Sequence, residues 1–376
     1  MALDRNQNYS YDRFLPVFEP RSVREVLPDA DLSTIRGGRR RAAFASVIAV
    51  GLLFVAVVAA VAFGSVNLAL GDVFEVFVDR SSGNEASSTA DQIIWNLRLP
   101  RVVLAAVVGA ALTTSGAVMQ VLVRNALADP FLLGVSAGAS VGATAVLLFG
   151  VFSGLGLWAV SAGSALGSLV AIVSVLLLAG SGTSSPTQLI LIGVVMSALF
   201  QSITSFLIFR GDPNATQGVL FWLLGSFGRA TWDQIPIPLG VLVISLAYLL
   251  AHRRSLNALA MGDEAASGLG IEVVRLRRKL FVVASICAAS TVAVAGVIGF
   301  IGLVVPHLVR IFVGVDHRRV LPLGLVVGAT FTVLADLAAR TVVSPQEMPL
   351  GVVSAVIGAP MLLLLVRRRS ASAGVT

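Results

Sequence analysis

The sequence predicts an all-α polytopic membrane protein with about ten transmembrane helices. Of its 376 residues, 56% are hydrophobic and only 12% are charged, whereas a soluble domain carries about 25% charged residues. Residues 131–209 contain no Asp, Glu, Lys or Arg, and no water-exposed surface can be built from such a run. The apolar runs are long and continuous rather than alternating, which favours helices over a β-barrel.

Short basic clusters between the apolar runs predict the orientation of the chain. Cytoplasmic loops of membrane proteins carry an excess of Lys and Arg, and such clusters stand at residues 39–41, before the first span, and 367–369, after the last. Both termini are therefore predicted to be cytoplasmic. Residues 1–41 are polar, show no signal peptide and are predicted to form a mostly disordered tail. Residues 42–369 are predicted to form a single transmembrane domain, followed by a C-terminal tail at 370–376.

The apolar runs define the predicted spans in order. They lie at about residues 42–63, 98–121, 131–152, 155–179, 189–209 and 235–251, then twice within 280–315, and finally at 321–340 and 350–365. The stretch 280–315 is counted twice, because a single helix of this length would reach roughly 54 Å across a hydrocarbon core of about 30 Å. The predicted break between its two spans is at Gly299, Gly302 and Pro306.

The segments that connect the spans differ in character. Residues 65–97 are predicted to form an external loop rich in Ser and acidic residues. The apolar piece 219–224 is too short to span and is predicted to lie as a helix in the outer mouth. The longest cytoplasmic loop, 255–279, is predicted to hold two short amphipathic pieces that are split by Gly268 and Gly270.

Glycines recur at helical spacing in the third and fourth predicted spans. Gly134, Gly138 and Gly142 are each separated by four positions, and so are Gly163 and Gly167. Small residues at this spacing let two helices approach closely within a membrane. We therefore predict that these glycines serve packing.

Several kinds of chemistry are disfavoured by residues that the chain lacks. The single lysine, Lys279, stands outside any phosphate-binding loop, so no ATPase site is predicted on this chain. Cys287 is the only cysteine and the three histidines are scattered, so we predict no disulfide and no metal site. The net charge of +7 comes from clusters between spans, which argues against nucleic-acid binding. Residues 134–138 match the GxSxG pattern, which leaves an intramembrane hydrolase built on Ser136 as an alternative.

A series of motifs between residues 95 and 368 carries a family resemblance. They read RLPR at 98–101, GAALTTSGAVMQ at 109–120, RNALADPFLLGVSAGAS at 124–140, FWLLGSFG at 221–228, GDEAASGLGI at 262–271, AGVIGFIGLVVPHLVR at 295–310, DHRRVLPLG at 316–324, ADLAAR at 335–340 and EMPLGVVSAVIGAP at 347–360. In this order they resemble the permeases of ABC importers for ferric siderophores, haem and vitamin B12. The resemblance implies a fold like that of the vitamin B12 importer permease, a type II ABC importer.

The resemblance implies functional residues at both faces of the membrane. A substrate-binding protein is expected to dock on the outer face at Arg98, Arg101 and Arg340. Arg340 also stands four positions after Asp336 and can pair with it along a helix. The translocation path is expected to run between the fifth and tenth spans and the outer-mouth helix, at Trp222, Gly225 and Ser226. Glu347 begins the tenth span as a carboxylate favoured by the helix dipole, and it is not expected to contact the substrate.

On the cytoplasmic face the resemblance implies a gate and a coupling segment. The gate residues are expected to be Asn125, Leu127 and Thr187. The coupling segment, two short helices that contact the ATPase, is expected to include Gly262, Asp263, Glu264, Ala265, Ala266, Gly268, Leu269 and Gly270.

The implied function is that of the permease subunit of an ABC importer in the bacterial cytoplasmic membrane. Its expected partners are a second permease copy, two cytoplasmic ATPase subunits, an extracellular or periplasmic substrate-binding protein and membrane lipid. ATP and magnesium are expected on the ATPase, and no cofactor on this subunit. A ferric siderophore is the expected substrate, with haem or a corrinoid as the alternatives. A secondary transporter is less favoured, because it needs buried acids at mid-span and Asp336 lies near an outer end.

Overall fold

The computed structural model describes residues 32–64, 69–82, 88–180 and 185–373. The helices are α1 Leu32–Ala62, α2 Leu70–Ser81, α3 Leu99–Leu122, α4 Val135–Phe149, α5 Ala159–Ala179, α6 Pro186–Arg210, α7 Pro213–Leu223, α8 Pro236–Ala251, α9 Arg253–Met261, α10 Asp263–Gly268, α11 Val273–Ala295, α12 Ile301–Val313, α13 His317–Thr341 and α14 Leu350–Ala373. A helical turn at Thr89–Asp91 and a π-helix at Gln92–Arg98 lead directly into α3. Short 3-10 turns at Pro130–Leu133, Ser153–Trp158 and Trp232–Gln234 precede α4, α5 and α8.

The helices of the described residues confirm the predicted number of spans. Seven are long and apolar enough to cross a membrane: Ala42–Ala62 in α1, the continuous run Thr89–Leu122, Ser153–Ala179, Pro186–Arg210, Trp232–Ala251, Val273–Ala295 and His317–Thr341. Three shorter apolar helices lie at Val135–Phe149, Ile301–Val313 and Leu350–Leu364. Together they coincide with the ten predicted spans.

The central helix of the bundle is α3, which is buried from Leu99 to Leu122 with few exceptions. It packs against α11, α12 and α13. Glycines permit two of these crossings. A Cβ on Gly116 would lie 1.9 Å from the carbonyl oxygen of Gly302, and one on Gly109 would lie 2.3 Å from that of Gly328. The backbones of α3 and its neighbours therefore touch directly.

The predicted packing glycines form a third close crossing, between α4 and α5. A Cβ on Gly142 would lie 1.9 Å from the carbonyl oxygen of Gly163, and one on Gly138 would lie 2.4 Å from that of Gly167. This confirms the packing role of these four residues. Gly134 differs, because its φ of +82° places it just before α4, where it ends the preceding 3-10 turn.

Two predicted loops contain more helix than expected. The described part of 65–97 holds α2 and the turns that lead into α3, joined by an ion pair of 2.7 Å between Arg80 and Asp91. Part of the predicted tail also differs: α1 begins at Leu32, so residues 32–41 are helical. Arginine is a good helix former, so the arginines at positions 36 and 39–41 are compatible with this helical segment. Residues 1–31 lie outside the described residues.

The breaks between helices are displaced from the predicted glycines. The two short helices α9 and α10 are split at Gly262, whose φ is +126°, whereas Gly270 separates α10 from α11. The break between the seventh and eighth spans covers residues 296–300, so Gly299 was placed correctly. Gly302 and Pro306 instead lie within α12. The chain reverses through positive φ angles at Gly296 and Phe300. A bulky residue such as phenylalanine rarely adopts a positive φ, so the sequence gives no sign of this conformation.

Candidate functional site

The three predicted docking arginines lie together with two carboxylates. Arg101, near the start of α3, contacts Asp336 of α13 and Glu347, each at 2.9 Å. Arg340 Nε is 3.2 Å from Asp336 Oδ2, which confirms the predicted pair along α13. We call Arg98, Arg101, Asp336, Arg340 and Glu347 the arginine cluster. It marks one end of the helix bundle.

The arginines of this cluster are buried rather than exposed on a rim. The exposed fractions of Arg98, Arg101 and Arg340 are 5%, 9% and 6%. Arg98 Nη1 donates to the carbonyl oxygens of Val61 and Ala62 at 2.6 and 2.8 Å, and Arg340 Nη2 donates to that of Ala60 at 2.9 Å. These guanidinium groups therefore cap the end of α1, as cations at a helix C-terminus do. The three arginines are therefore engaged within the chain rather than freely exposed, and their docking role stays a prediction.

Glu347 is the exposed acid of the cluster, and its position was not anticipated. Its side chain is 46% exposed while it pairs with Arg101. It also lines a cavity of about 410 Å³ together with Trp222, Gly225 and Ser226, the predicted path residues. The structure thus brings the path residues and the arginine cluster to one place. The sequence does contain a sign of this position: Glu347 has no basic residue near it in the sequence, and it lies on the same predicted face of the membrane as the three arginines.

This Glu347 cavity forms where three helix ends meet. Ser226 N donates to Ala295 O at 2.9 Å, Leu350 N to Gly225 O at 3.0 Å, and Gly351 N to Leu224 O at 2.9 Å. The ends of α7 and α11 and the start of α14 are therefore joined by backbone hydrogen bonds. Irregular backbone at membrane depth is tolerated where it is buried in protein or lines a water-filled cavity. The irregular backbone around this cavity therefore has hydrogen-bond partners within the protein.

Two further grooves lie on the side of the Glu347 cavity that faces α4 and α6. The Ser136 groove, of about 440 Å³, is lined by hydroxyl and amide side chains at Ser136, Ser140, Ser197 and Gln201, and by Leu223, the neighbour of Trp222. The Asp129 groove, of about 430 Å³, shares Phe131 and Ser197 with it. The Glu347 cavity shares no lining residue with them and adjoins the Ser136 groove through the neighbouring residues Trp222 and Leu223. We call this set of one cavity and two grooves, which reaches from the arginine cluster to the turn between α3 and α4, the groove row.

The far end of the groove row lies at the turn that holds two predicted gate residues. The Asn125 side chain accepts from the N–H of Leu127 at 2.9 Å, and the Leu127 side chain is exposed. Asp129 closes this turn and accepts from the N–H of Phe131 at 2.8 Å. Burial raises the pKa of the Asp129 carboxyl to about 6, against the lowering effect of its hydrogen bond from the Phe131 N–H. Thr187, the third predicted gate residue, is exposed in the first turn of α6, and the gate role of all three stays a prediction.

The predicted coupling segment forms a helix with an exposed apolar border. Gly262 and Gly270, both with positive φ, bracket α10, and Ala266 packs inward with no exposed surface. Met261 and Leu269 are 77% and 69% exposed. The remaining members of the segment, Asp263, Glu264, Ala265 and Gly268, all lie within α10. Exposed apolar residues at the rim of a short helix suit a protein partner, but the ATPase contact itself stays a prediction.

The described residues give little support to the hydrolase alternative. None of the residues that line the Ser136 groove is His, Asp, Glu or Lys. A serine nucleophile needs an adjacent base, and the groove supplies none. The described residues also hold no group of three or more His, Cys, Asp or Glu side chains that could bind a metal ion.

Comparisons with known proteins agree with the geometry. The profile of the FecCD transport family matches residues 52–368. The cobalamin import permease BtuC of Halobacterium salinarum is 41% identical, over 76% of this chain and 76% of that protein. The hemin transport permease HmuU of Yersinia pestis is 39% identical, over 77% of this chain and 88% of that protein. An uncharacterised ABC transporter permease of Bacillus subtilis, YvrB, is 37% identical over 86% and 94% of the two chains.

A solved structure of an ABC transporter shares the fold of this chain. It is described as an inward-facing conformation of a metal-chelate type ABC transporter. It has a TM-score of 0.76 and 31% identity to this chain, and it covers 86% of this chain and 98% of that one. These matches confirm the resemblance that the motifs indicated. The chain belongs to the FecCD transport family and is a multi-pass membrane permease of an ABC importer.

Proposed function

We propose that this chain carries a ferric siderophore into the cytoplasm by alternating access, powered by a separate ATPase subunit. The observation that supports this most strongly is the groove row, which runs from the arginine cluster to the turn that holds Asn125 and Leu127. A transport path needs weakly binding walls, so that cargo can leave as well as enter. Apolar residues with scattered hydroxyl and amide groups provide such walls along most of the groove row, and the charged side chains Asp129, Arg229 and Glu347 stand at its two ends.

The lining of the groove row favours a siderophore over haem. Relatives are named for hemin, cobalamin and iron chelatin transport. His, Tyr, Cys and Met are the side chains that hold haem iron; none of the residues that line the three cavities is His, Tyr or Cys, and Met348 is the one Met among them. A ferric siderophore already has its iron enclosed and needs no protein ligand. Haem and a corrinoid remain the alternatives.

A second copy of the chain is the proposed partner at the open side of the groove row. Helix α6 lines the grooves with Val194, Ser197 and Gln201. Beside them it exposes Leu191 and Leu199, which are 64% and 51% accessible. A partner packed on this apolar face would enclose the grooves as a channel. The remaining exposed apolar surface would face membrane lipid.

The other partners follow from the two ends of the groove row. We propose that two cytoplasmic ATPase subunits, which hold ATP and magnesium, contact α10 and its border of Met261 and Leu269. A substrate-binding protein would dock outside, over the end that carries the arginine cluster. Both termini would be cytoplasmic and the complex would lie in the bacterial cytoplasmic membrane. This subunit would need no cofactor.

Uptake of labelled chelates tests the proposed substrate. In cells that lack this chain, we expect uptake of an iron-labelled siderophore to fall to background, and to return when the wild-type chain is supplied. Haem and cobalamin uptake should not change. An ATPase partner whose phosphate-binding lysine is replaced serves as the control for energy coupling. Loss of haem or cobalamin uptake, with siderophore uptake intact, would contradict the substrate assignment and leave the permease role in place.

A further inference from the structure

One carboxylate at the end opposite the arginine cluster joins three separate elements. Asp263 begins α10, and its Oδ1 accepts from Nη2 of Arg277 in α11 at 2.7 Å. The same oxygen lies 3.9 Å from Nη1 of Arg124, in the turn between α3 and α4. We call these three residues the Asp263 bridge.

The two arms of the bridge differ in burial. The Arg277 side chain is 3% exposed, whereas the Arg124 side chain is 49% exposed. The shared Asp263 side chain is 37% exposed, so the arms differ in the burial of the arginine and in distance; a pair at hydrogen-bond distance with one buried partner resists separation more than an exposed pair at longer distance. Moving α10 by about 1 Å toward Arg124 would bring the longer arm into the range of charge-assisted hydrogen bonds. The long arm is therefore the one that a small displacement makes or breaks.

Arg124 is also placed to pass a displacement into the turn. Its φ of +54° is uncommon for a residue other than glycine, and such strain persists only where the surroundings fix it. Asn125 and Leu127, the predicted gate residues, follow directly. The turn is held by two backbone hydrogen bonds of 3.1 Å, from Asn125 N to Gln120 O and from Ala128 N to Asn125 O. A displacement of the Arg124 side chain would therefore move the short hydrogen-bonded turn that contains Asn125 and Leu127.

We propose that Asp263 is a positioning residue that links α10 to the turn of residues 124–129 through Arg124. Arg277 holds the carboxylate in place, and Arg124 transmits movement of α10 to the far end of the groove row. This assignment rests on the proposed function, in which α10 contacts the ATPase. It adds a specific internal route from that contact to the turn that holds Asn125 and Leu127.

Transport stoichiometry tests the link in the reconstituted complex. We expect Arg124→Gln to keep the ATPase rate while the cargo moved per ATP falls about fivefold, the lower range of coupling between linked sites. In Asp263→Asn, which also loses the contact with Arg277, the cargo moved per ATP should fall at least as far, and the double variant should be no worse than Asp263→Asn, because Arg124 then has no carboxylate left to lose. Arg275→Gln is the matched control, since its pair with Glu272 is exposed on both sides. That variant should behave as wild type.

Hydrogen exchange on the isolated permease tests the link without transport. Because coupling is reciprocal, Asp263→Asn should speed amide exchange in residues 125–129, and Arg124→Gln should speed it in α10, each about fivefold. If the wild-type complex moves no cargo but these exchange changes occur, the proposed function fails and the bridge stands. The bridge is overturned if exchange at the partner site is unchanged in both variants. It is also overturned if the double variant loses the product of the single effects.

Discussion

Asp336→Asn is expected to lower the stability of the protein by about 3–5 kcal/mol, the cost of removing one partner from a buried ion pair. Asp336 is 1% exposed and stands between two buried guanidinium groups, at 2.9 Å from Arg101 and 3.2 Å from Arg340. Asparagine fits the space but leaves the two positive charges facing each other. Unfolding by detergent titration measures the change.

A double variant and a surface control make this result specific. Asp336→Asn with Arg340→Gln should recover part of the lost stability, because one of the two facing charges is gone and Arg101 keeps its contact with Glu347. Glu272→Gln, in the exposed pair with Arg275, should show no measurable change. A stability of Asp336→Asn equal to that of Glu272→Gln would contradict the structural role of the cluster.

Gly116→Val is expected to prevent correct packing of the central helix. The added Cβ would lie 1.9 Å from the carbonyl oxygen of Gly302 and 2.6 Å from its Cα. Overpacking costs about 1–3 kcal/mol where side chains can yield, and here the obstacle is backbone. We therefore expect a loss above that range, measured as thermal unfolding and as the monodisperse fraction in detergent.

Gly240 in α8 supplies the matched control for this substitution. A Cβ there meets nothing within 4 Å, so Gly240→Val should unfold at the wild-type temperature. Both variants carry the same glycine-to-valine change in a membrane helix, so they differ only in what surrounds the added side chain. If both variants unfolded together, the direct backbone contact between α3 and α12 would be wrong.

Hydrophobic runs and small-residue spacing predicted most of the fold. The ten spans and the crossing of α4 with α5 follow from patterns that reflect local chemistry, namely exclusion of charge from lipid and close approach at glycine. Helix α2 was missed because its twelve residues include acids at Asp72, Glu75 and Asp79, which suggested a solvated loop. The break at Phe300 was also not predictable, because its left-handed backbone depends on tertiary contacts.

The sequence identified which residues belong to the candidate site, but not how deeply they are buried or which side chains they contact. Trp222, Gly225 and Ser226 do share a cavity. Arginines at helix ends are usually solvated, and nothing local in the sequence shows that the Arg101 side chain meets Asp336, 235 positions later. Burial of the cluster is a tertiary effect. The ion pair with Arg101 holds Glu347 at the cavity, whereas the sequence alone suggested only a carboxylate favoured by a helix dipole.

The central claim, that the groove row is the translocation path, is best tested by thiol accessibility. Cys287 is buried and is the only cysteine, so Cys287→Ala provides a background for Ser197→Cys, Gln201→Cys and Ser226→Cys. Ile244→Cys, on an exposed apolar face of α8, is the control. A membrane-impermeant thiol reagent should label the three groove positions, at rates that change with ATP and fall with bound substrate, and should not label the control. Labelling of the groove positions no faster than Ile244→Cys, with or without ATP, would contradict the account.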